Sequence, residues 1–275
     1  MNKSSARGFT LIEAVLTITI MGILAGTVAK LIVVPVESYI DTVRRANLTD
    51  TADGALRRIA RDVHAALPNS FRSTSPASNS CIEFLPVVGG GRYRSAKSGT
   101  GTGDILDFSA PDNSFDVLAD NNSPTFSAGV TYHTVIYNLG IPGADAYDAS
   151  GVTPNRAAIK STATESNIVF NAANQFPFES PGKRFHVIPN YSVVYSCDAL
   201  NRQLIRSKRP LTATQMGSCP GAGDGDVLAS NVSTCSFSYT PAVSQRNGQF
   251  TMRLGLTQSG ESVQLYQEVH VDNIP

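Results

Sequence analysis

Glu13 is a single carboxylate inside the apolar run GFTLIEAVLTITIMGILAG, residues 8–26. A charged side chain in the middle of a lipid bilayer costs on the order of 3 kcal/mol even on lenient scales. A partner of opposite charge is therefore needed to compensate this cost. The sequence predicts that Glu13 makes an ionic contact in an apolar environment, and the identity of its partner bears on function.

Four cysteines form the second chemically informative group: Cys81, Cys197, Cys219 and Cys235. None forms a CxxC pair and no histidine stands at the spacing of a zinc ligand, so the pattern indicates no metal site. An even number of cysteines behind an export-like N-terminus predicts two disulfides formed outside the cytosol. Sequence alone does not choose among the three possible pairings. We favour Cys197 with Cys219, closing a loop that contains a hairpin, and Cys81 with Cys235, tying the first strand to a late one.

Several motifs resemble catalytic or ligand sites without meeting their requirements. Ser180 and Lys183 fit S-x-x-K, but the Pro-Gly between them breaks the helical turn that this motif needs. Asp224 and Asp226 could bind calcium through loop oxygens, yet too few further ligands are visible. The four histidines are scattered: His64, His133, His186 and His270. We therefore predict no enzyme activity and no cofactor.

Length and charge limit the class of protein further. The chain has 275 residues with 22 basic and 22 acidic side chains. This balance indicates no nucleic-acid surface. The length suits one domain of about 200 residues plus an extended segment.

The N-terminal segment contains a candidate membrane span. Residues 1–8 are polar and basic through Lys3 and Arg7, and residues 9–34 are largely apolar. At 1.5 Å per residue this stretch crosses a hydrocarbon core of about 30 Å. A signal anchor, or a signal peptide cleaved near Thr27–Ala29, would explain the apolar run. Neither interpretation explains Glu13.

The stretch RGFTLIEAVLTITIMGIL, residues 7–24, resembles the class III leader and N-terminal helix of type IV pilins and type II secretion pseudopilins. The resemblance implies that a prepilin peptidase removes residues 1–8 by cutting between Gly8 and Phe9, and then methylates the amine of Phe9. It also implies that Glu13 recruits the subunit into a growing filament. The α-amine freed at Phe9 is cationic near neutral pH. It could neutralise Glu13 of a neighbouring subunit or, one helical turn away, of its own chain.

Residues 35–67 are predicted to continue the helix as an amphipathic stem. Apolar residues recur at three- to four-residue steps: Val36, Ile40, Val43, Leu48, Ala52, Leu56, Ile59, Val63 and Leu67. Three i,i+4 ion pairs are expected on the other face: Asp41–Arg45, Asp53–Arg57 and Arg58–Asp62. Pro68 ends the helix and Pro35 is expected to kink it. A helix from Phe9 to Leu67 would be about 90 Å long.

Residues 68–275 are predicted to form a mainly antiparallel β head, which makes the fold class α+β. Seven strand-like runs support it: CIEFLPVV, VTYHTVIYN, RFHVI, YSVVYSC, NVSTCSFSY, QFTMRLGLT and SVQLYQEVHV. Ser259-Gly260 and the stretch YSCDALNRQLIRS are read as hairpins. The Gly/Ser-rich residues 89–103 are predicted to be a mobile loop.

The C-terminal run, with its paired cysteines and HVDNIP ending, resembles minor pilins of mannose-sensitive haemagglutinin (MSHA) type pili. It is also similar to the J-type minor pseudopilin of type II secretion. The resemblance implies an inner-membrane protein with a periplasmic head that joins a pilus, or else a pseudopilus. Expected partners are prepilin peptidase, other pilins, the inner-membrane assembly platform and the lipid bilayer. A membrane-anchored periplasmic enzyme or adhesin is the third alternative.

Overall fold

A computed structural model describes residues 8–74, 80–118, 126, 129–164, 166–241 and 248–271. These residues form one helix, α1 (Leu11–His64), followed by fourteen strands. The strands are β1 (Arg72–Thr74), β2 (Ser80–Phe84), β3 (Gly89–Tyr93), β4 (Asp112–Leu118), β5 (Tyr132–Ile136), β6 (Arg156–Ala158), β7 (Asn167–Asn174), β8 (Arg184–Pro189), β9 (Tyr191–Asp198), β10 (Gln203–Pro210), β11 (Asp226–Ser230), β12 (Val232–Thr240), β13 (Gly248–Gln258) and β14 (Glu261–Val271). The predicted α+β class, with a long N-terminal helix and an antiparallel β head, is confirmed. Most of the predicted leader, residues 1–7, and the last four residues of the HVDNIP ending lie outside the described residues.

Helix α1 begins and ends a few residues inside the predicted limits. Thr10 is the N-cap, with extended backbone angles, and Ala65 is the C-cap, donating its N–H to Arg61 O at 3.2 Å. The helical assignment continues through Pro35, although a proline removes one backbone hydrogen bond. With 54 residues, α1 is about 81 Å long at 1.5 Å per residue.

Only the C-terminal third of α1 is packed against the head. Seven of its side chains are buried: Leu48, Ala52, Ala55, Leu56, Ile59, Ala60 and Val63. Of the predicted apolar face, Val36, Ile40 and Val43 remain exposed. The amphipathic pattern therefore predicted the buried face correctly from Leu48 onward. It did not predict where along the helix the contact with the head starts.

The ion pairs of the stem differ from the prediction at two of three positions. Asp53 and Arg57 pair as expected, with 2.7 Å between Oδ2 and Nε. Arg45 instead reaches Glu261 at 2.8 Å, at the start of β14. Asp62 pairs with Arg206 of β10 rather than with Arg58. Arg45 and Asp62 differ for one reason, since strands packed against the helix bring an acid and a base within their reach. Asp41 pairs with Arg44 of the same helix at 2.7 Å instead.

Two antiparallel sheets enclose the buried part of α1. The first has the order β1-β2-β9-β10-β11 and the second the order β12-β13-β14. Strands β13 and β14 pair over eleven residues each, around the predicted Ser259-Gly260 turn, in which both residues have positive φ. The predicted hairpin of β9 and β10 is present too. Apolar side chains of both sheets and of the helix form one core cluster.

The third sheet has the order β6-β5-β8-β3-β4-β7 and is antiparallel throughout. Its two outer strands meet, because Ile159 beside β6 bridges Phe170 in β7 and the Lys160 N–H donates to Val169 O at 2.8 Å. The sheet therefore closes into a small barrel. Its interior is filled by a second core cluster rich in aromatic rings, including Tyr93 and Phe115.

The Gly/Ser-rich residues 89–103 are in part a strand, which corrects the prediction of a loop. Gly89–Tyr93 forms β3 between β8 and β4 in the barrel. A Cβ added to Gly90 would lie 2.6 Å from the carbonyl O of Phe185, closer than real Cβ atoms approach. Glycine is needed here because the two backbones come too close for any side chain.

All four cysteines are paired, as predicted, but the favoured pairing is wrong. The disulfides are Cys81–Cys219 and Cys197–Cys235, each with a Cα–Cα distance of 5.7 Å. Strand β12 runs beside β2, which brings Cys235 to Cys197 of β9. The loop after β10 folds along β1, where Cys219 Sγ lies 3.5 Å from the carbonyl O of Thr74, the residue opposite Cys81. Strand order, which the cysteine spacing does not encode, decides the pairing.

Peptide mapping under non-reducing conditions should therefore recover these two bridges and no free thiol. In the chain-entropy treatment, a loop of 38 residues corresponds to about 4 kcal/mol and one of 138 residues to about 5 kcal/mol. We expect the double variant Cys197→Ser/Cys235→Ser to unfold at lower urea concentration than the native chain. Recovery of a Cys197–Cys219 peptide would contradict this arrangement.

Two half-buried histidines of the barrel predict loss of stability in mild acid. Burial, and then the nearby guanidinium of Arg156 or Arg184, lowers the pKa of His133 and of His186 to about 4. Between pH 6.5 and 4 the unfolded chain therefore binds protons that the folded chain does not, so the free energy of unfolding falls as pH falls. At pH 5 each histidine lowers the free energy of unfolding by about 2 kcal/mol relative to neutral pH. Urea unfolding at pH 7 and pH 5 measures this, and His133→Gln should reduce the difference between the two pH values. The same urea midpoint at pH 7 and at pH 5 would refute this prediction.

Candidate functional site

The N-terminal part of α1 is an exposed apolar rod. The described residues contain one helix that is long and apolar enough to cross a membrane, and none of its most apolar stretch is buried. Leu11 is 85% exposed and Met21 is 72% exposed. Such an apolar surface is unfavourable in water. It must be covered by lipid or by other protein.

Three threonines within this rod do not prevent burial in lipid. The hydroxyls of Thr17, Thr19 and Thr27 donate to the carbonyl oxygens of Glu13, Val15 and Ile23, at 2.9, 2.8 and 3.2 Å. A hydroxyl that bonds to its own helix carries no unsatisfied donor into the membrane. Glu13 is therefore the one polar group of the apolar run that needs a partner from elsewhere.

The carboxylate of Glu13 is exposed in the first turn of α1. Its backbone N–H donates to Thr10 Oγ1 at 3.4 Å, which is one half of a capping box. Within the described residues no cation pairs with its side chain. Lys30 is 17 residues along the helix, about 25 Å away at 1.5 Å per residue. The helix itself therefore leaves Glu13 available to a cation from outside.

Gly8 and Phe9 precede the helix. A Cβ added to Gly8 would meet nothing within 4 Å, and Phe9 is 71% exposed. The sequence suggested that Phe9 and Glu13 lie one helical turn apart. Because α1 begins at Leu11, Phe9 is outside the helix here and the two residues do not have this spacing. The peptide bond between Gly8 and Phe9 lies in an open segment, which is the form that a peptidase needs.

A polar joint between stem and head was not predicted from the sequence. Tyr195 Oη donates to Asp62 Oδ2 at 2.7 Å, and Arg206 Nε donates to the same oxygen at 2.9 Å. Burial, and then the hydrogen bond to Asp62, raises the pKa of Tyr195 far above its ordinary value. The phenol therefore stays protonated and continues to donate. Only the position of Asp62 beside the buried helical face could have indicated this joint.

Three of the residues that resembled catalytic or calcium sites, Ser180, Lys183 and Asp224, are engaged in local contacts, and Asp226 is exposed at the start of β11. The ammonium group of Lys183 pairs with Glu179, and Ser180 Oγ accepts from the N–H of Arg184 at 3.2 Å. Asp224 accepts from the N–H of Gly221 at 2.8 Å within its own loop. Among the described residues, no group of three or more His, Cys, Asp or Glu side chains is placed to hold a metal ion.

Comparison with known proteins identifies the N-terminal motif. Residues 3–29 match the family model described as the prokaryotic N-terminal methylation motif. No curated protein and no solved structure was found to match the chain. The motif match, together with the exposed apolar helix, supports a type IV pilin-like or pseudopilin-type protein with a single-pass membrane anchor. The motif implies processing by a prepilin peptidase and assembly with other pilins.

Processing yields a direct prediction. Cleavage between Gly8 and Phe9 removes Lys3 and Arg7, which leaves 20 basic and 22 acidic side chains and a formal charge of about −2. Mass spectrometry of the membrane-extracted protein should find a methylated Phe9 at the N-terminus. Replacing Gly8 by a bulky residue should leave the precursor uncut. A mature start near Lys30 would indicate an ordinary signal peptide instead.

Proposed function

We propose that this protein is a minor pilin of an MSHA-type pilus, which is processed in the inner membrane and then joins or primes the filament. The observation that carries the proposal is Glu13, an exposed carboxylate in an apolar helix without a cation among the described residues. In this role its partner is the α-amine of Phe9 on a neighbouring subunit. Joining the filament then neutralises a charge that lipid penalises.

The size of the head favours a minor over a major subunit. Residues 68–275 amount to about 200 residues, with a closed barrel added to the two sheets that hold the helix. The family resemblance leads us to expect a smaller head in a subunit that repeats along the shaft. A large head is easier to accommodate at a filament tip, where fewer neighbours surround it.

We also propose a structural rather than an enzymatic role, with the head in the periplasm before assembly and on the pilus afterwards. The two disulfides support an oxidising compartment for the head. The paired cysteines and the C-terminal strand pair β13–β14 support the MSHA-type assignment, and the same strand pair is compatible with the J-type minor pseudopilin.

Deleting the gene for this chain distinguishes the pilus from the secretion system. For a priming minor pilin, we expect few or no pili per cell with secretion of exported enzymes unchanged, and expression of the native chain should restore the pili. Pilus number is counted by electron microscopy and secretion by enzyme activity in the medium. Loss of secretion with normal pili would overturn the proposal in favour of a pseudopilin.

A further inference from the structure

Two arginines lie directly opposite each other on the outside of the barrel. Arg92 in β3 registers with Arg184 in β8. The next residue, Tyr93, donates its N–H to Lys183 O at 2.9 Å, so the arginine pair occupies a non-hydrogen-bonded position. There the Cα atoms are about 4.5 Å apart and the side chains approach most closely. Like charges placed in this way destabilise a sheet unless something neutralises them.

No carboxylate in the described part of the chain forms an ion pair with Arg92 or Arg184. Asp116 of β4 is on the same outer face, but it pairs with Arg94 at 3.2 Å. Asp116 also accepts hydrogen bonds from a backbone N–H and from an asparagine side chain. Asp116, an acid of this face within the described residues, is thus already engaged.

A cavity of about 240 Å³ is lined in part by Arg92 and Arg184. Gly90 and His186 also line it, and these two residues register with each other two positions along the strands from the arginine pair, on the same face. Gly90 has no side chain to fill the space, and the close backbone of Phe185 excludes one. The cavity is about eight times the volume that one water molecule occupies in the liquid. It can therefore hold a polyatomic group.

His186 adds a neutral polar group to this cationic cavity. Burial, and then the guanidinium of Arg184, lowers the pKa of His186 to about 4. The imidazole is therefore uncharged at neutral pH and can donate or accept one hydrogen bond. The positive charge of the cavity comes from the arginines, whose planar groups bind the two oxygens of a carboxylate, phosphate or sulfate.

We propose that Arg92, Arg184 and His186 form a binding site for an oxyanion. Such an ion supplies the negative charge that no described ion pair gives these arginines, and the cavity that they line together with Gly90 admits it. The oxyanion is either a free inorganic phosphate or sulfate, or the acid group of an anionic carbohydrate. The site does not depend on the proposed role in a pilus, because the barrel is remote in sequence from the N-terminal motif.

Titration of the full chain in detergent micelles tests the site. With ¹⁵N-labelled histidine only four residues contribute signals, and that of His186 reports on the cavity. The probes are sodium phosphate, sodium sulfate and a galacturonic acid trimer, each at constant ionic strength set with chloride. We expect a saturable shift of the His186 signal. Arg92→Gln and Arg184→Gln should each raise the apparent Kd at least tenfold.

Arg253→Gln is the matched control, since Arg253 is an exposed arginine on β13 and its loss changes the net charge equally. It should leave the Kd within twofold. Arg92→Lys keeps the charge without the planar fork, and should bind more weakly than the native chain. Melting temperature verifies that each variant is folded.

Saturation by phosphate or sulfate alone assigns the site to a free anion, and tighter binding of the trimer assigns it to an acidic carbohydrate. A non-saturating shift with all three probes, or an unchanged Kd in both glutamine variants, would overturn the proposal.

Discussion

Glu13→Leu is expected to abolish incorporation into filaments while leaving the protein cleaved and inserted in the membrane. The substitution removes the one carboxylate of the apolar run, so it makes the helix a better membrane anchor. It also removes the attraction to a neighbouring α-amine, about 4 kcal/mol for charges 4 Å apart at an effective dielectric constant of 20. Desolvation of the pair offsets part of this energy. We therefore expect incorporation to fall at least about tenfold, measured as subunit in purified filaments against mature protein in the membrane.

Three further variants separate charge from other effects of the substitution. Glu13→Gln keeps the size and polarity and should fail as Glu13→Leu does, whereas Glu13→Asp, which shortens the reach, should be intermediate. Thr10→Ala removes the helix cap at a cost of about 1 kcal/mol and should still assemble. Glu37→Gln changes an exposed carboxylate of the same helix and should assemble normally. Normal assembly of Glu13→Leu would leave the pilin assignment with the motif match alone.

The sequence predicted elements whose signal is local and missed those that depend on strand order. The β13–β14 hairpin could be read from alternating residues around Ser259-Gly260, and α1 from its apolar periodicity. Strand β3 could not, because glycine disfavours strands, and the close approach of β8 that requires glycine at position 90 is visible only in the fold. Strand β4 was missed for a different reason, since it contains no glycine but begins with three polar residues. Of its seven residues only Phe115 is fully buried, so it carries no alternating pattern.

The candidate site shows the same division. Gly8, Phe9 and Glu13 form a contiguous motif, which a single sequence reveals, and the motif match covers them. Asp62 meets Tyr195 and Arg206 only after about 130 residues of intervening chain, which include the barrel, have folded. Local i,i+4 spacing offered Asp62 a plausible partner in Arg58. A tertiary contact took its place because Asp62 borders the face that the head covers.

Ile59→Ala is expected to lower the stability of the head far more than the same change at Ile40. Ile59 is fully buried in the core that α1 shares with two sheets, whereas Ile40 is 47% exposed on the free part of the helix. Shortening a buried isoleucine to alanine costs about 2 to 5 kcal/mol through lost burial and the cavity left behind. For a domain of about 200 residues this lowers Tm by about 5 to 15 °C. Ile40→Ala should change the free energy of unfolding by no more than about 0.5 kcal/mol.

Thermal unfolding of the full chain in detergent, followed by circular dichroism of the β signal, measures both variants. The pair is matched in chemistry and in helix, so the difference isolates the contribution of the stem to the head. Equal Tm values for Ile59→Ala and Ile40→Ala would mean that the head is stable without the stem. A large difference means that the head cannot be released from the helix without unfolding part of its own core. The apolar half of α1 is the anchor, so force on the anchor would then reach the head through Ile59 and its neighbours. The ion pair between Asp62 and Arg206 lies beside them.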